Sequence, residues 1–491
     1  MNITPDQFTQ QVCKLAAELE PYIIEKRRFF HAHPELSGKE VNTTAYIAAE
    51  LDAMGVFYMR PSEAFAKTAA HNNVSQESAA LGSNGELLDD ESPDAELSRG
   101  ELTADKLSGG ESPSSELPDE ELPGKSSSED TSEEAFANWK LNPAIDPQSG
   151  LIATIRGEAL GAYDANGRPH HCIALRCDID ALPIVEKTDA PYASTNEGVM
   201  HACGHDCHIA MMLGVVRILH ELRAQLKGEV RIIFQPAEEI SIGSRHMIAA
   251  GVLDGVETIY GAHIWSEVDA GTVSIESGSR MANTDWFSVN ISGSSAHGAM
   301  PHKGVDAIVV GAAIIEALQV VVSRDVSPFA PVVLTIGEFH GGVARNVMAG
   351  TAYLAGTVRS FDPKVREYLR ERMEFMVHHT ARSYNAKADF EWQTGNSALI
   401  NDKACAKRAI KSAVKILGEE ALAHYEGTLS GEDFSEYLRR VPGVFAFVGA
   451  RNPEVGADHP QHSCFYEVDE SVLVNAVKLA VQYAYDFLNE N

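Results

Sequence analysis

The sequence predicts an α/β protein with a mainly parallel sheet, interrupted by a smaller α+β unit. Strand and helix patterns alternate on both sides of the interruption, and polar side chains collect where the strands end. This arrangement is typical of a parallel sheet whose site lies at its carboxyl edge. Residues 284–395 instead follow the order βαββαβ, the split-βαβ pattern. We therefore expect one main unit in two parts, 1–283 and 396–491, with 284–395 as a second unit between them.

Length and composition limit the class of protein. A chain of 491 residues with 44% hydrophobic residues is long enough for two globular units. The formal net charge of −30 argues against nucleic acid or an anionic membrane as a partner. Seven thinly spread cysteines and an N-terminus without a signal-like segment predict a cytoplasmic protein.

Two helices open the chain, and an acidic insertion follows them. Helical spacing of apolar residues predicts helices over 5–31 and 41–54. Within the insertion, 62–146, the stretch from Asn84 to Glu134 holds seventeen acidic and three basic residues. Such a composition predicts a mostly disordered segment, either a spacer or a docking segment for a basic partner.

The rest of the main unit alternates between strands and helices. Its strands are expected at 151–155, 171–180, 229–235, 258–265 and 444–448, and its helices at 206–224, 244–250, 402–417 and 470–487. In 284–395, strands are expected at 287–292, 332–339, 352–359 and 388–392, and helices at 305–323 and 363–383. The apolar run 307–322 is too short and too polar for a membrane span, so a buried helix is expected there.

Cys203 and His205 are the first candidates for metal binding. They lie two apart across Gly204, so in extended or turn backbone their side chains point the same way. A thiolate and an imidazole are ligand types that zinc prefers. A core cysteine beside surface histidines is the alternative interpretation of these two residues alone.

Three further places offer metal or proton chemistry: the pair Glu238/Glu239, His263 and His462. Adjacent acids on extended backbone point opposite ways, so the two glutamates should have different roles. One could bind a metal, while the other could take the proton of a metal-bound water, whose pKa is about 7. Each element is weak alone, but all of them fall in one region of the predicted sheet.

A set of ordered motifs carries a family resemblance. The motifs are Arg176-x-Asp178-x-Asp180-Ala-Leu-Pro183, Met200-His-Ala-Cys-Gly-His-Asp-x-His208, Gln235-Pro-Ala-Glu-Glu239, Gly261-Ala-His263, Gly293-x3-His297-x3-Pro301-x2-Gly304, Asn346-Val347, Gly356-Thr-Val-Arg359, Ser430-x-Glu432-Asp433-Phe434 and His462-Ser463. Together they resemble the amidohydrolase branch of the aminoacylase-like two-metal metallopeptidases. That branch includes hippurate hydrolase, N-acyl-amino-acid amidohydrolases, plant hydrolases of auxin–amino-acid conjugates and aminobenzoyl-glutamate hydrolase.

The resemblance implies a fold, a reaction and a site. The fold would be a zinc-peptidase-like catalytic domain interrupted by a ferredoxin-like lid that forms a homodimer. The reaction would be hydrolysis of N-acyl or N-aroyl amino acids. Two divalent ions per subunit, zinc or manganese, would be held by Cys203, His205, Glu239, His263 and His462. Glu238 would be the general base, Asp178 would steady the site, and His297, Asn346 and Arg359 would meet the substrate, His297 and Asn346 often from the partner subunit.

Two departures and two alternatives accompany this interpretation. Cys464 stands where relatives often have proline, and the acidic insertion is unusual, although aminobenzoyl-glutamate relatives also carry extra residues there. One alternative is a thiol hydrolase with Cys203 as nucleophile and His205 or His208 as base. The other is a non-catalytic binding relative, against which the filled ligand positions and Glu238 argue.

Overall fold

The computed structural model describes residues 3–67 and 140–490, and the predicted insertion lies largely outside these ranges. Residues 61–67, at the start of the predicted insertion, are helical, and Ile145 near its end is buried. The predicted disorder concerns residues that are not described.

Nine α-helices are labelled here in chain order within the described ranges. They are α1 (Pro5–Ala32), α2 (Val41–Met54), α3 (His205–Glu221), α4 (Gly243–Ala249), α5 (Ala307–Val320), α6 (Pro363–Ser383), α7 (Lys403–Leu417), α8 (Ser435–Leu438) and α9 (Leu473–Asn489). The α1 helix begins with a capping box, since the Thr4 hydroxyl accepts from Gln7 N and the Gln7 side chain accepts from Thr4 N.

Thirteen strands form three sheets in the same ranges. The strands are β1 (Phe57–Met59), β2 (Leu151–Arg156), β3 (Cys172–Asp178), β4 (Glu229–Gln235), β5 (Thr258–Asp269), β6 (Val273–Ser274), β7 (Gly278–Met281), β8 (Asp285–Ser292), β9 (Val332–Gly341), β10 (Thr351–Ser360), β11 (Lys387–Thr394), β12 (Leu399–Asn401) and β13 (Gly443–Arg451). The small third sheet pairs β7 with β12.

The large sheet has the strand order β1-β2-β4-β3-β5-β13-β6. Its four central strands are parallel and its edge strands antiparallel, so the prediction of a mainly parallel sheet holds for the centre of a mixed sheet. Both faces are covered: in β3, Ile173 and Leu175 face one apolar core, and Cys172 and Ala174 face another. The carboxyl ends of the parallel strands therefore share one edge, where a site can form.

The second sheet is antiparallel, with the order β11-β8-β10-β9. Its strands and the helices α5 and α6 follow one another as βαββαβ, which confirms the predicted ferredoxin-like lid. The two helices pack on one face, where Val289, Leu354, Ile314 and Met373 are fully buried. Trp286 and Arg359 are less buried than these residues.

Two predictions about elements were wrong in detail. The strand expected over 258–265 continues to Asp269, because β5 pairs with β13 along most of its length. The apolar helix α5 is buried on one face only, and Ile308 and Val309 are 40% and 50% exposed. By length and composition the segment Ala307–Asp325 could cross a membrane, but about a third of it packs inside the lid.

Candidate active site

Glu238 and Glu239 lie in a turn after β4 that two buried carboxylates hold in place. Ala237 has a left-handed backbone, with φ of 57°, which is unfavourable for a residue with a side chain. Glu40 accepts a hydrogen bond from Ala237 N at 2.9 Å, and Asp180 accepts one from Glu239 N at 3.0 Å. The turn is thus fixed on both sides of Glu238.

Glu40 is a contact that the sequence analysis missed. Its side chain is fully buried, and its carboxylate also accepts from Gly38 N at 2.7 Å. Burial, followed by the nearby charge of Asp180, raises the pKa of Glu40 to about 8. No spacing in the sequence links Glu40 to a turn nearly two hundred residues later.

His205 begins α3 directly after Gly204, whose φ of 98° is easy only for glycine. The Nδ1 atom of His205 donates to the carbonyl of Asp180 at 2.9 Å. This bond leaves the lone pair on Nε2, the form in which histidine binds a metal.

His263 on β5 is oriented in the same way, by a hydrogen bond from its Nδ1 atom to a backbone carbonyl. Its Nδ1 atom donates to the carbonyl of Ile264 at 2.7 Å, and its Nε2 atom lies 3.5 Å from the sulfur of Cys203. His462 comes from an exposed loop, and its left-handed φ of 64° is held by a bond from its N–H to Ala202 O. The Nε2 atom of His462 lies 3.4 Å from Glu239 Oε2.

The five predicted ligands therefore meet at one place. In two groups, Cys203/His205/His263 and Cys203/Glu239/His462, the candidate ligand atoms lie within 4.8 Å of one another, and Cys203 belongs to both. The buried atoms His205 Nε2 and Glu239 Oε1 lie 3.9 Å apart and have no hydrogen-bond partner. Buried polar atoms are normally satisfied, and a divalent cation would satisfy both. These residues fit two metal ions.

Glu238 has a different environment from Glu239. It is buried and grouped with Glu432 and Asp433, and Asp433 N donates to Glu238 Oε1 at 3.4 Å. Burial, and then the charges of Glu432 and its other acidic neighbours, raise the pKa of Glu238 well above its usual range. A raised pKa suits a group that takes up and releases a proton.

Arg176 supplies the balancing positive charge and is a second contact that the sequence analysis missed. This fully buried guanidinium donates to Asp178 at 2.6 Å, to Glu432 at 3.0 Å and to Asp433 at 2.9 Å. The signal was present, because Arg176 stands in the quoted motif at the end of a strand, yet no role was given to it.

Asp178 binds a histidine that lies beside the candidate metal ligands. Its second oxygen accepts from His208 Nδ1 at 2.5 Å, and His208 Nε2 accepts from Ile264 N at 2.9 Å. Asp178 thereby fixes an imidazole that supports the backbone beside His263. His208 itself is the third residue whose role was missed.

The environment of Cys203 argues against a thiol nucleophile. Burial raises the pKa of the Cys203 thiol well above its usual value, whereas nucleophilic cysteines need a lowered pKa. The charge of His205, one of the two bases that the thiol alternative names, acts in the opposite direction on this pKa, but it does not outweigh burial.

A cleft of about 480 Å³ opens over the ligands. Its lining includes Cys203, Glu238, Glu239, His263, His462, and the aromatic residues Trp265 and Trp286. Arg359 also lines it: the guanidinium is half-buried, lies 5.8 Å from the Trp286 ring centre and donates to the carbonyl of Asp285. Trp265 could have been expected here, since it stands two residues after His263 on one strand.

His297 and Asn346 lie next to each other in the lid but do not line this cleft. Gly298 N donates to the carbonyl of Asn346 at 2.9 Å, and both side chains are exposed. The Nδ1 atom of His297 accepts from Ala299 N at 3.0 Å, so in a neutral ring Nε2 carries the proton. The structure brings this predicted pair together, but away from Glu238 of the same chain.

Comparison with known proteins places these features in a family. A profile of the peptidase family M20/M25/M40 matches residues 174–486. An N-acetyl-L-cysteine deacetylase of Bacillus subtilis is 38% identical over 344 residues, which are 70% of this chain and 79% of the relative. An N-acyl-L-amino acid amidohydrolase of Geobacillus stearothermophilus is 43% identical over 235 residues, 48% of this chain and 64% of the relative.

Solved structures agree with this placement. A dinuclear metal-binding peptidase of family M20 from Bacillus subtilis has a TM-score of 0.68 and 28% identity, and the match covers 96% of this chain and 99% of that protein. The aminobenzoyl-glutamate utilization protein from Klebsiella pneumoniae, at 22% identity and a TM-score of 0.59, shares the fold.

Proposed function

Because the chain belongs to the peptidase family M20/M25/M40, it is a hydrolase of amide bonds, and we propose that its substrates are N-acyl or N-aroyl amino acids. The observation that carries the proposal is the division of the two adjacent glutamates. Glu239 faces the histidine and cysteine ligands, while Glu238 lies among carboxylates beside the same cleft. Relatives named as acting on N-acetylcysteine and N-acyl-L-amino acids support this substrate class.

We propose that Cys203, His205, Glu239, His263 and His462 hold two divalent ions, zinc or manganese. When bound, such ions lower the pKa of a water molecule and polarise the substrate carbonyl. Glu238 then accepts the proton of the attacking water and delivers it to the leaving nitrogen. The raised pKa of Glu238 favours its uptake of that proton. Asp178 holds the imidazole of His208 in place beside the candidate ligands.

The substrate carboxylate would be bound by Arg359. Asp285, whose charge acts on this guanidinium, forms its ion pair with Arg366 at 2.6 Å and not with Arg359. Within the described ranges, Arg359 has hydrogen bonds only to backbone carbonyls. A half-buried guanidinium without a carboxylate partner suits the free carboxylate of an N-acyl amino acid.

His297 and Asn346 would complete the site of the partner subunit in a homodimer. The exposed apolar side chains Ile308 and Val309 of α5, and Val333 and Phe339 of the edge strand β9, support an interface on the lid.

We also propose the boundaries 284–395 for the lid domain, with 1–283 and 396–491 forming the catalytic domain. All seven cysteines are free, which supports a reducing, cytoplasmic location.

A hydrolysis screen with metal control tests the proposal. Purified protein is dialysed against a chelator and then supplied with zinc, manganese or cobalt. We expect about two ions per chain and cleavage of N-acetyl, N-benzoyl or aminobenzoyl amino acids only after metal is restored. Activity that survives complete metal removal would favour the thiol mechanism instead, and no activity with any metal would favour a binding protein.

A further inference from the structure

One wall of the cleft is formed by alternate residues of β5. His263, Trp265 and Glu267 lie two apart on this strand, and all three line the cleft. Residues with that spacing project from one face of a strand. Four residues of strand span about 13 Å, so Glu267 lies at a distance from the ligands that a medium-length chain could bridge.

Glu267 is a carboxylate that the proposed reaction does not use. Glu239 is a candidate metal ligand, Glu238 is the candidate base, and Glu432 is bound by Arg176. By contrast, Glu267 forms no ion pair with any residue of 3–67 or 140–490, and its side chain accepts a hydrogen bond from the Tyr425 hydroxyl. One of its oxygens is left for a further donor.

One aromatic side chain contacts this carboxylate, and a second lies two residues before it on the same strand. The rings of Trp265 and Tyr425 lie 6.1 Å apart, and Tyr425 contacts Glu267 directly. A carboxylate with one oxygen left for a donor favours an ammonium group, because its charge attracts a cation whose N–H groups can donate to that oxygen. A neutral alkyl end would leave Glu267 without a new partner.

We propose that the acyl half of the substrate ends in an ammonium group that Glu267 binds. This inference rests on the proposed function, in which Arg359 of the lid binds the carboxylate of the amino-acid half. The β5 wall is then left for the acyl half. Arg359 and Glu267 would thus recognise opposite charges on the two halves of one substrate, such as an ω-aminoacyl-amino acid whose chain is long enough to reach Glu267.

Matched substrates test this recognition. The metal-loaded enzyme is given methionine acylated with ω-aminohexanoyl or with heptanoyl, which differ by an ammonium in place of a methyl group. We expect wild-type kcat/KM to be at least about tenfold higher for the aminohexanoyl substrate, as for one charge-assisted contact. Glu267→Gln should bring the ratio close to one, and Glu267→Lys should reverse it.

Asp269→Asn is the matched control. Asp269 stands two residues further along β5, has the same charge, and pairs with Arg451 at 3.0 Å outside the cleft lining. This variant should keep the wild-type ratio. An unchanged ratio in Glu267→Gln, or a wild-type preference for heptanoyl, would overturn the inference.

Two further substrates separate the possible failures. Cleavage of N-acetylmethionine tests the proposed function alone, so a chain that cleaves this substrate but lacks the ammonium preference refutes only the role of Glu267. A chain that cleaves none of the three refutes both. If Glu267→Gln lowers the preference for N-acetyllysine over N-acetylnorleucine and leaves the acyl pair unchanged, Glu267 faces the amino-acid half, and the assignment is wrong.

Discussion

Glu238 and Glu239 are neighbours in the sequence, and ligand atoms of both lie within 4.8 Å of His205, but their other contacts differ. Glu239 Oε1 and Oε2 lie 3.9 Å and 3.4 Å from the Nε2 atoms of His205 and His462. Glu238 receives a hydrogen bond from the backbone of Asp433 and lies beside Glu432. A ligand and a proton carrier should therefore respond differently to the same substitution.

Glutamine at each position separates the two roles. Glu238→Gln should retain about two ions per chain and lose at least about a hundredfold in kcat, the typical loss when a general base is removed. Glu239→Gln should lower metal content, because an amide oxygen is a weaker ligand than a carboxylate. Metal analysis and kcat are measured on the same samples. Equal metal loss in both variants would contradict the division of roles.

The residues of the site were predictable where a motif carried them, and harder to predict elsewhere. The five candidate ligands come together as expected, since parallel strands end at one edge. Glu40 was missed because its partner Ala237 is distant in the sequence and offers only a backbone N–H. A buried acid that binds backbone has no characteristic spacing. The roles of the predicted residues stay predictions.

At the scale of elements, the segment between α1 and α2 supports the turn that carries the two glutamates. Ser37 donates to Asp180 at 2.7 Å, and Asp180 in turn binds Glu239 N. Glu40, the residue directly before α2, accepts a hydrogen bond from Ala237 N. The left-handed backbone of Ala237 needs such support, so the segment contributes to the position of Glu238.

Glu40→Ala should therefore lower kcat by about 10- to 100-fold per metal-loaded site, the usual range for residues that orient a metal site. Glu40→Gln keeps an oxygen acceptor for Ala237 N and should recover most of that loss. The measurements are kcat, metal content and the thermal unfolding midpoint.

Glu35→Ala is the control for a purely structural effect. Glu35 binds the N–H groups of Asn42 and Thr43 at the start of α2 and does not contact the turn. Its loss should lower the unfolding midpoint while leaving kcat of the folded enzyme near the wild-type value. If Glu40→Ala behaves in the same way, Glu40 only stabilises the fold.

Element boundaries show what the sequence can and cannot predict. The helix expected over 363–383 is observed at those residues, because Asp362 and Pro363 give clear start signals. The helix α5 was expected to be buried, yet its apolar residues lie on both faces. An apolar pattern predicts burial, but it cannot tell burial within the chain from burial against a second chain.

At the scale of the whole molecule, the site of one chain lacks one predicted group. The reaction forms an oxyanion, and an N–H donor such as that of an imidazole stabilises it. His297 can donate from Nε2, because its Nδ1 atom accepts from Ala299 N. However, His297 is exposed and does not line the cleft of its own chain. A two-fold dimer through the lid would give each His297 access to the other subunit's cleft.

Subunit mixing tests this arrangement. Glu238→Gln and His297→Ala chains should each be nearly inactive alone. When equal amounts exchange at random, half of the dimers are mixed, and each mixed dimer has one intact site built from Glu238 of one chain and His297 of the other. About a quarter of full activity should return.

Exchange is verified with differently tagged chains. A mixture of Glu238→Gln with Glu239→Gln chains should stay inactive, since both changes fall in the part of the site that a single chain supplies. If tagged chains exchange and the first mixture also stays inactive, His297 does not act across the dimer.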